Sequence, residues 1–416
     1  MSIPVPSAPL LDVAHLREEF PILSRMVHGD RPLVYLDNAA TTQKPEVVIE
    51  SIVSYYRHHN ANAHRAGHVL GTEVTSMYEG ARRTVAESLG AEQDEIIFTR
   101  GTTESLNLLA ASIGQHLGPR LNSGNIVLTE MEHHANIVPW QMLCERSSVE
   151  LRVIPVTDDG ELDMGRAAEL IDASTLLVSC VHISNTLGTT NNVHELCTMA
   201  RNVGAISIID AAQSISSMSI DVREIGCDAL VFSGHKVYGP MGIGVAYVQR
   251  DLLAILPPYQ GGGSMITNVT FSRTTYAEGP LRFEAGTPNI EGAVGLDTAL
   301  RWHNRLDIAL VQSHKVSLTE RLVEGLRMRA SVRVHGSSQG HSGIVSFSVD
   351  GVHPQDLGIM LDSHGIAVRT GHHCTMPLTQ RFGVGGTVRV SAAVYTSHEE
   401  IDHFFHAFDR VLKLLK

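Results

Sequence analysis

Seven short apolar runs, rich in β-branched residues and closed by glycine or polar residues, recur between residues 96 and 248. They are IIFT (96–99), NIVLT (125–129), LRVIPV (151–156), TLLVSCV (175–181), AISIID (205–210), ALVFS (229–233) and GVAYV (244–248). Several are almost continuous in Val, Ile and Leu, the pattern of strands covered on both faces. Between most of them lie stretches of helical period, such as SLNLLAASIGQHL after the first and HELCTMARNVG before the fifth. Strand and helix in alternation predict an α/β fold built on a mainly parallel seven-stranded sheet. The interval from Ser233 to Gly244 is too short for a crossover helix, so the seventh run joins antiparallel or at an edge.

Beyond about residue 295 the texture changes. One long helical stretch, Ala299 to Arg329, precedes three spaced strands, GIVSFSV (343–349), GIAVRT (365–370) and TVRVSAA (387–393). A closing helix follows, with Ser397 and Glu400 in a capping-box pattern and Ile401, Phe404, Phe405, Phe408, Val411, Leu412 and Leu415 on one apolar face. This is a smaller α+β unit. With a helix expected at 12–20 and termini that often lie close together, the predicted division is a large domain over 31–295 and a small domain built from 1–30 and 296–416.

Composition narrows the class. With 32 Lys and Arg against 44 Asp and Glu, a formal charge of −12, nonspecific binding to nucleic acid or to an anionic membrane is a poor default. The five cysteines are an odd number without CxxC spacing, too few to staple 416 residues, so a reducing compartment is expected. No segment reaches the ~18 to 20 apolar residues of a membrane span, and the first residues lack a charged start followed by an apolar stretch. The expectation is a cytoplasmic protein.

In open parallel sheets ligands sit beyond the carboxyl ends of the strands. The first run ends in Arg100-Gly101-Thr102-Thr103-Glu104 and leads straight into a helix, offering free N–H groups, hydroxyls and a positive dipole end to a phosphate; taken alone this is also the pattern of an ordinary helix cap. The fifth run ends at Asp210 and the sixth at Ser233-Gly234-His235-Lys236. Asp210 and Lys236 are 26 residues apart, about one βα unit, so they emerge side by side at one sheet edge. A lysine amine and a carboxylate near a phosphate-binding turn are what pyridoxal phosphate requires, one for the Schiff base and one to keep the pyridine nitrogen protonated. The second run leads into Glu132-His133-His134, where His133 can stack on such a ring; the pair also reads as two surface histidines at a helix cap. Cys144, Cys180, Cys197 and Cys227 lie in or beside regular segments and read as packing residues. Cys374 instead follows Gly371-His372-His373 and precedes Pro377, an exposed loop whose neighbours favour a thiolate.

These residues occur in longer motifs: YLDNAATTQKP (35–45), RGTTESLN (100–107), EHHANIVPWQ (132–141), DAAQS (210–214), SGHKVYGPMGIG (233–244), FEAGTPN (283–289) and RTGHHCTMPL (369–378). In this order they make the chain resemble the class V, fold-type I pyridoxal-phosphate enzymes, and among them the group II, SufS-like cysteine desulfurases. The resemblance implies that Lys236 forms the Schiff base, Asp210 pairs with the pyridine nitrogen, Gln213 bonds the ring hydroxyl and His133 stacks on the ring. It implies that Thr103, Ser233 and His235 hold the phosphate, that Thr287 reaches the phosphate of the other subunit of a homodimer, and that Asn185 and Arg389 grip the substrate carboxylate. Arg389 would offer a bidentate fork, and Arg369 matches an arginine near the cysteine. The implied reaction converts L-cysteine to L-alanine, leaving a persulfide on Cys374 for a SufE- or SufU-like acceptor in iron–sulfur cluster assembly.

The short Arg369–Cys374 spacing resembles the group II loop. One departure stands out: the family's NxHRGxH reads Asn62-Ala63-His64-Arg65-Ala66-Gly67-His68 here, with the glycine displaced by one. Competing readings are a selenocysteine lyase, an aminotransferase or epimerase, which leaves RTGHHC without a task, and a non-catalytic cofactor-binding partner, against which Lys236, Asp210, His133 and Cys374 stand together.

Overall fold

The computed structural model describes residues 11–64, 67–336 and 342–415. Each apolar run becomes a strand: β1 (Ile96–Thr99), β2 (Asn125–Thr129), β3 (Glu150–Ile154), β4 (Thr175–Val181), β5 (Ile206–Asp210), β6 (Ala229–Ser233) and β7 (Gly244–Val248). They form one sheet in the order β1-β7-β6-β5-β4-β2-β3. Neighbours run parallel except around β7, which is antiparallel to both β1 and β6. The short return from Ser233 thus sets the direction of β7 as expected, with the strand lying inside the sheet rather than at its edge.

Two cores explain the apolar runs. Ile96 and Phe98 of β1 enter one, and Ile97 the other; Leu230 and Phe232 of β6 enter the first, and Val231 the second. Strand periodicity of two therefore feeds helices on both faces. Leu106, Leu109 and Ile113 of the Thr102–Leu117 helix cover one face, and Val74, Tyr78, Ala81 and Val85 of the Val69–Leu89 helix the other.

A third core gathers around the C-terminal sheet. Its strands are β8 (Val332–His335), β9 (Ile344–Val349), β10 (Arg369–Gly371) and β11 (Thr387–Ser391), antiparallel in the order β8-β9-β11-β10. The closing helix runs His398–Leu415, and its capping box forms: Ser397 N–H donates to Glu400 Oε2 at 2.9 Å and Glu400 N–H to Ser397 Oγ at 3.3 Å.

Three expectations need correction here. The helical stretch from Ala299 to Arg329 is two helices, Ile290–His303 and Ile308–Arg327. Asp307 breaks it by capping the second, its carboxylate accepting the N–H groups of Ala309 and Leu310. GIAVRT divides into Ile366–Ala367, which pairs parallel with Val34–Tyr35, and β10, which pairs with β11. β8 was not foreseen, because VRVH is short and half-exposed.

The N-terminal helix, Val13–Glu18, and the turn after it touch both halves of the chain. Arg17 Nη1 donates to Tyr395 O and Glu400 Oε2, each at 2.6 Å. Phe20 sits among Tyr238, Trp302 and Tyr395, with ring centroids 4.5–6.0 Å away. Val34 and Leu36 pack in the C-terminal core. Among the described residues no helix is long and apolar enough to cross a membrane, and all five cysteines are free.

Lys315 is buried on the Ile308–Arg327 helix, its Nζ donating to Ser217 Oγ at 2.8 Å. Burial pulls its pKa down to about 8, so holding the charge at pH 7 costs roughly 3 kcal/mol. The penalty is complete below about pH 8, shrinks as pH rises toward the unfolded value near 10.5, and then vanishes. Lys315→Met is therefore expected to raise stability by about 2 kcal/mol at pH 7, measured by urea unfolding, with the gain fading above pH 8. A gain independent of pH would contradict the assignment of the cost to the buried charge.

Candidate active site

The carboxyl ends of β1, β5 and β6 bring their loops to one edge of the sheet. Ten of the twelve predicted site residues line a single cavity of about 180 Å³ there: Thr103, His133, Asn185, Asp210, Gln213, Ser233, His235, Lys236, Arg369 and Arg389. Lys236 ends the short 3₁₀ turn after β6, and Asp210 is the last residue of β5. The neighbouring strands place them together, as their spacing predicts.

Burial governs the charges. It pulls Lys236 down to about 8, against the pull of Asp210, while Arg389 and Arg369 push in the same direction as burial. The amine is thus close to neutral in mildly alkaline solution, as a lysine nucleophile or proton acceptor must be. Burial raises Asp210, Lys236 lowers it, and the Ala212 N–H holds its Oδ1 at 2.9 Å. Burial and the neighbouring Lys236 lower His133 to about 3, so the ring is neutral. Its Nδ1 accepts the Ala135 N–H at 3.1 Å, which leaves the proton on Nε2.

At the other end of the cavity the Thr102–Leu117 helix begins. Gly101 has φ +153°, and a Cβ there would lie 3.2 Å from Ser233 Oγ; without one, Ser233 Oγ meets both Thr102 N and Thr102 Oγ1 at 2.8 Å. A Cβ on Gly244 would lie 2.4 Å from Gly101 Cα, so β7 also needs glycine where it passes this turn. His235 is held neutral, its pKa lowered to about 4 by burial and then by Lys236 and Lys44. Its Nδ1 is buried without a partner, as are Asn185 Oδ1 and Arg389 Nε, all on residues lining the cavity. A helix N-terminus, hydroxyls, a lysine with no hydrogen bond among the described residues and three orphaned polar atoms fit a polar, phosphorylated group such as pyridoxal phosphate.

Arg389 lies on β11, fully buried, with Nη1 donating to Asn185 O at 2.8 Å and Nη2 to Asp37 Oδ1 at 2.9 Å. Two of its nitrogens already serve the protein, and the Nε edge remains for a ligand. Cys374 does not line the cavity; half-buried rather than exposed as expected, it adjoins two residues that do, His373 and Arg369, whose Nη2 lies 3.7 Å from its Sγ. Its loop is tied down on several sides: Asn185 Nδ2 donates to His373 O, His134 N–H to Cys374 O, and the hydroxyls of Thr186 and Thr375 meet at 2.8 Å.

Thr287 lies apart, exposed in a separate depression with Arg100, Tyr259 and Gly286. His64 also lines a different cavity, its Nε2 3.6 Å from Glu79; Arg65 and Ala66, where the glycine is displaced, lie outside the described residues.

Three further residues belong to the site although sequence reasoning gave them no role. Asp37 balances Arg389, and the signal was available: a buried arginine needs an acid, and Asp37 is the acid of YLDNAATTQKP. Glu132 is fully buried and pushed up to about 8 by burial, against donors from Thr129, Val181 and Asn136. Those bonds, at 2.6, 2.8 and 2.6 Å, tie the loop that carries His133 to the end of β2 through Thr129, to β4 through Val181, and to its own Asn136. Lys44, lowered to about 8 by burial, donates to Thr42 O, Thr41 Oγ1 and His235 O, beside the turn that carries Lys236.

Residues 34–404 match the Aminotransferase class-V family. A cysteine desulfurase of Pectobacterium carotovorum is 45% identical over 97% of this chain and 98% of its own length. Among solved structures, the apo cysteine desulfurase of Thermococcus onnurineus superposes with a TM-score of 0.91 at 38% identity, covering 98% of this chain and 100% of that one. The cysteine desulfurase CsdA of Escherichia coli, in its S-sulfonic acid form, gives 0.90 at 35% identity with the same coverage. With its sheet order, its strand-end lysine and aspartate, and full-length relatives of this kind, the chain belongs to the aminotransferase class-V family, on its cysteine desulfurase branch.

Proposed function

We propose that this protein is a pyridoxal-phosphate-dependent cysteine desulfurase of the group II, SufS-like kind, working in the cytoplasm as a homodimer. The reading rests above all on one juxtaposition: a half-buried lysine beside a buried aspartate, in a cavity whose arginine, Arg369, also reaches the sulfur of a loop cysteine. Pyridoxal phosphate held there would supply an electron sink for the substrate's α-carbon. Asp210 would pair with its ring nitrogen, His133 would stack on the ring, Gln213 would bond the ring hydroxyl, and Thr103, Ser233 and His235 would hold its phosphate, with Thr287 of each chain serving the phosphate of the other.

Arg389 and Asn185 hold the carboxylate of L-cysteine, and Asp37 keeps the Arg389 guanidinium in place. Lys236, neutral near its lowered pKa of about 8, takes the α-proton at Nζ. Cys374 thiolate then attacks the substrate sulfur. The new S–S bond forms as the substrate's Cβ–S bond breaks, its electron pair stays on the carbon fragment, and after protonation that fragment leaves as alanine. The persulfide passes to a SufE- or SufU-like acceptor and on to iron–sulfur clusters. Lys236 and the cofactor-holding residues sit in the large domain, 31–295, and Cys374, Arg369 and Arg389 in the small domain of 1–30 and 296–416.

Cys374→Ala tests the reading. Alanine and sulfide formation from L-cysteine, assayed with an acceptor present, is expected to fall about 10³-fold or more, as when a nucleophile is removed. Full turnover by this variant on cysteine would overturn the assignment, and efficient turnover confined to L-selenocysteine would point to a selenocysteine lyase.

A further inference from the structure

Two imidazoles crowd the sulfur of the cysteine loop. One ring nitrogen of His134, one of His372 and the Cys374 Sγ all lie within 4.8 Å of one another, and the two rings face each other at 5.4 Å. Such distances suit a thiolate- and imidazole-bound cation, and the hydrogen bonding decides against one. His134 Nε2 accepts the Met376 N–H at 3.0 Å, and His372 Nδ1 accepts the Cys374 N–H at 3.0 Å. A neutral imidazole accepts at one nitrogen and carries its proton on the other. In both rings the accepting nitrogen is committed to the backbone, so a metal would have to displace a bond that holds the loop. Each ring has an N–H left to offer.

We propose that His134 Nδ1–H and His372 Nε2–H form a donor pair for the anionic sulfur on Cys374, first as thiolate and then as the terminal sulfur of the persulfide. The inference rests on Cys374 being the sulfur carrier. Arg369 Nη2, 3.7 Å from Sγ, is the donor already within reach of the sulfur, and the two imidazoles flank it with a nitrogen each within 4.8 Å. Burial and then His372 lower the pKa of His134, which keeps that ring neutral. The backbone supplies the rest of the device. His373 and Cys374 both take left-handed angles, φ +51° and +60°, which side-chain-bearing residues rarely adopt. His134 holds this turn at both ends, donating its own N–H to Cys374 O at 2.7 Å and accepting from Met376. The bonds that keep the loop in shape thus also decide which nitrogen of each ring bears hydrogen.

Glutamine oxygen can stand in for Nε2 and asparagine oxygen for Nδ1, so His134→Gln and His372→Asn retain the acceptor for the backbone while removing the ring N–H. The readout is alkylation of Cys374 by iodoacetamide in the substrate-free holoenzyme, followed by mass spectrometry of the peptide that contains it; unchanged visible absorbance and unfolding temperature show that the variants are folded. At pH 7 each variant is expected to react about tenfold more slowly than wild type, the scale of one hydrogen bond to a charged group. The rates converge at high pH, where any accessible thiol is ionised. Equal rates at pH 7 in both variants would overturn the donor pair, as would one zinc ion bound per wild-type chain and lost on Cys374→Ala. If wild type formed no alanine from L-cysteine while the alkylation difference persisted, the donor pair would stand and the sulfur-carrier reading would fall.

Discussion

Lys236→Ala is expected to abolish alanine formation from L-cysteine, by about 10⁴-fold or more, and to remove the visible absorbance of a cofactor joined to a lysine amine. The size of the effect follows from how little else can replace the amine. Lys236 is half-buried in the cavity, and among the described residues the other basic side chains lining it are two arginines, which stay charged, and three histidines, His133, His235 and His373, lowered by burial to about 3, about 4 and about 2. Lys44 has a similar lowered pKa, yet its Nζ is committed to Thr42 O, Thr41 Oγ1 and His235 O. Spectra of the purified variant, taken before any assay, check the first half of the expectation. A variant that kept both the band and turnover would remove Lys236 from the mechanism.

Arg82→Ala is expected to cost about 3–5 kcal/mol of stability, the largest structural effect anticipated here. Arg82 and Glu284 are 2% and 7% exposed, and Glu284 accepts Arg82 Nη1 at 2.6 Å and Nη2 at 2.9 Å. Truncating the arginine leaves that carboxylate buried with only Tyr78 OH and Phe98 N–H as donors. The guanidinium also lies over the Tyr78 and Phe98 rings, at 5.2 and 4.9 Å, so packing is lost together with the charge. Glu284 opens the segment that leads to Thr287, and the variant should also lose the order of that segment. Urea unfolding monitored by circular dichroism measures the loss; a change under about 1 kcal/mol would mean that water readily replaces the missing donor.

The two-sided sheet was legible because its strands are buried on both faces and show it as unbroken apolar runs. Asp210 and Lys236 were legible for a related reason: adjacent strands one βα unit apart must end beside each other. The rest was hidden where partners are distant in sequence. GIAVRT looks like one strand, and divides because its first half finds a partner at Val34–Tyr35, near the start of the chain. Asp37 sat in a recognised motif without a task, since its counter-ion is on β11. The break between the Ile290–His303 and Ile308–Arg327 helices depends on a single capping carboxylate, Asp307, which apolar periodicity does not register. Glu132 was read past because an acid beside two histidines looks solvated until the fold wraps Thr129, Val181 and Asn136 around it.

The bond between Asp37 and Arg389 joins residues 352 positions apart, and the Val34–Tyr35 strand likewise waits for Ile366–Ala367. During synthesis the seven-stranded sheet can assemble while the last hundred or so residues are still being added, because chains fold from the N-terminus as they emerge. The segment from Val34 to Asp37 cannot be placed at that stage. It stays an unpaired strand until Ile366–Ala367 and Arg389 have emerged, and contacts this distant in sequence close slowly. A nascent chain therefore holds Thr102, Thr103 and Lys236 long before it holds Arg389, so the cavity they line together closes only once Arg389 has emerged.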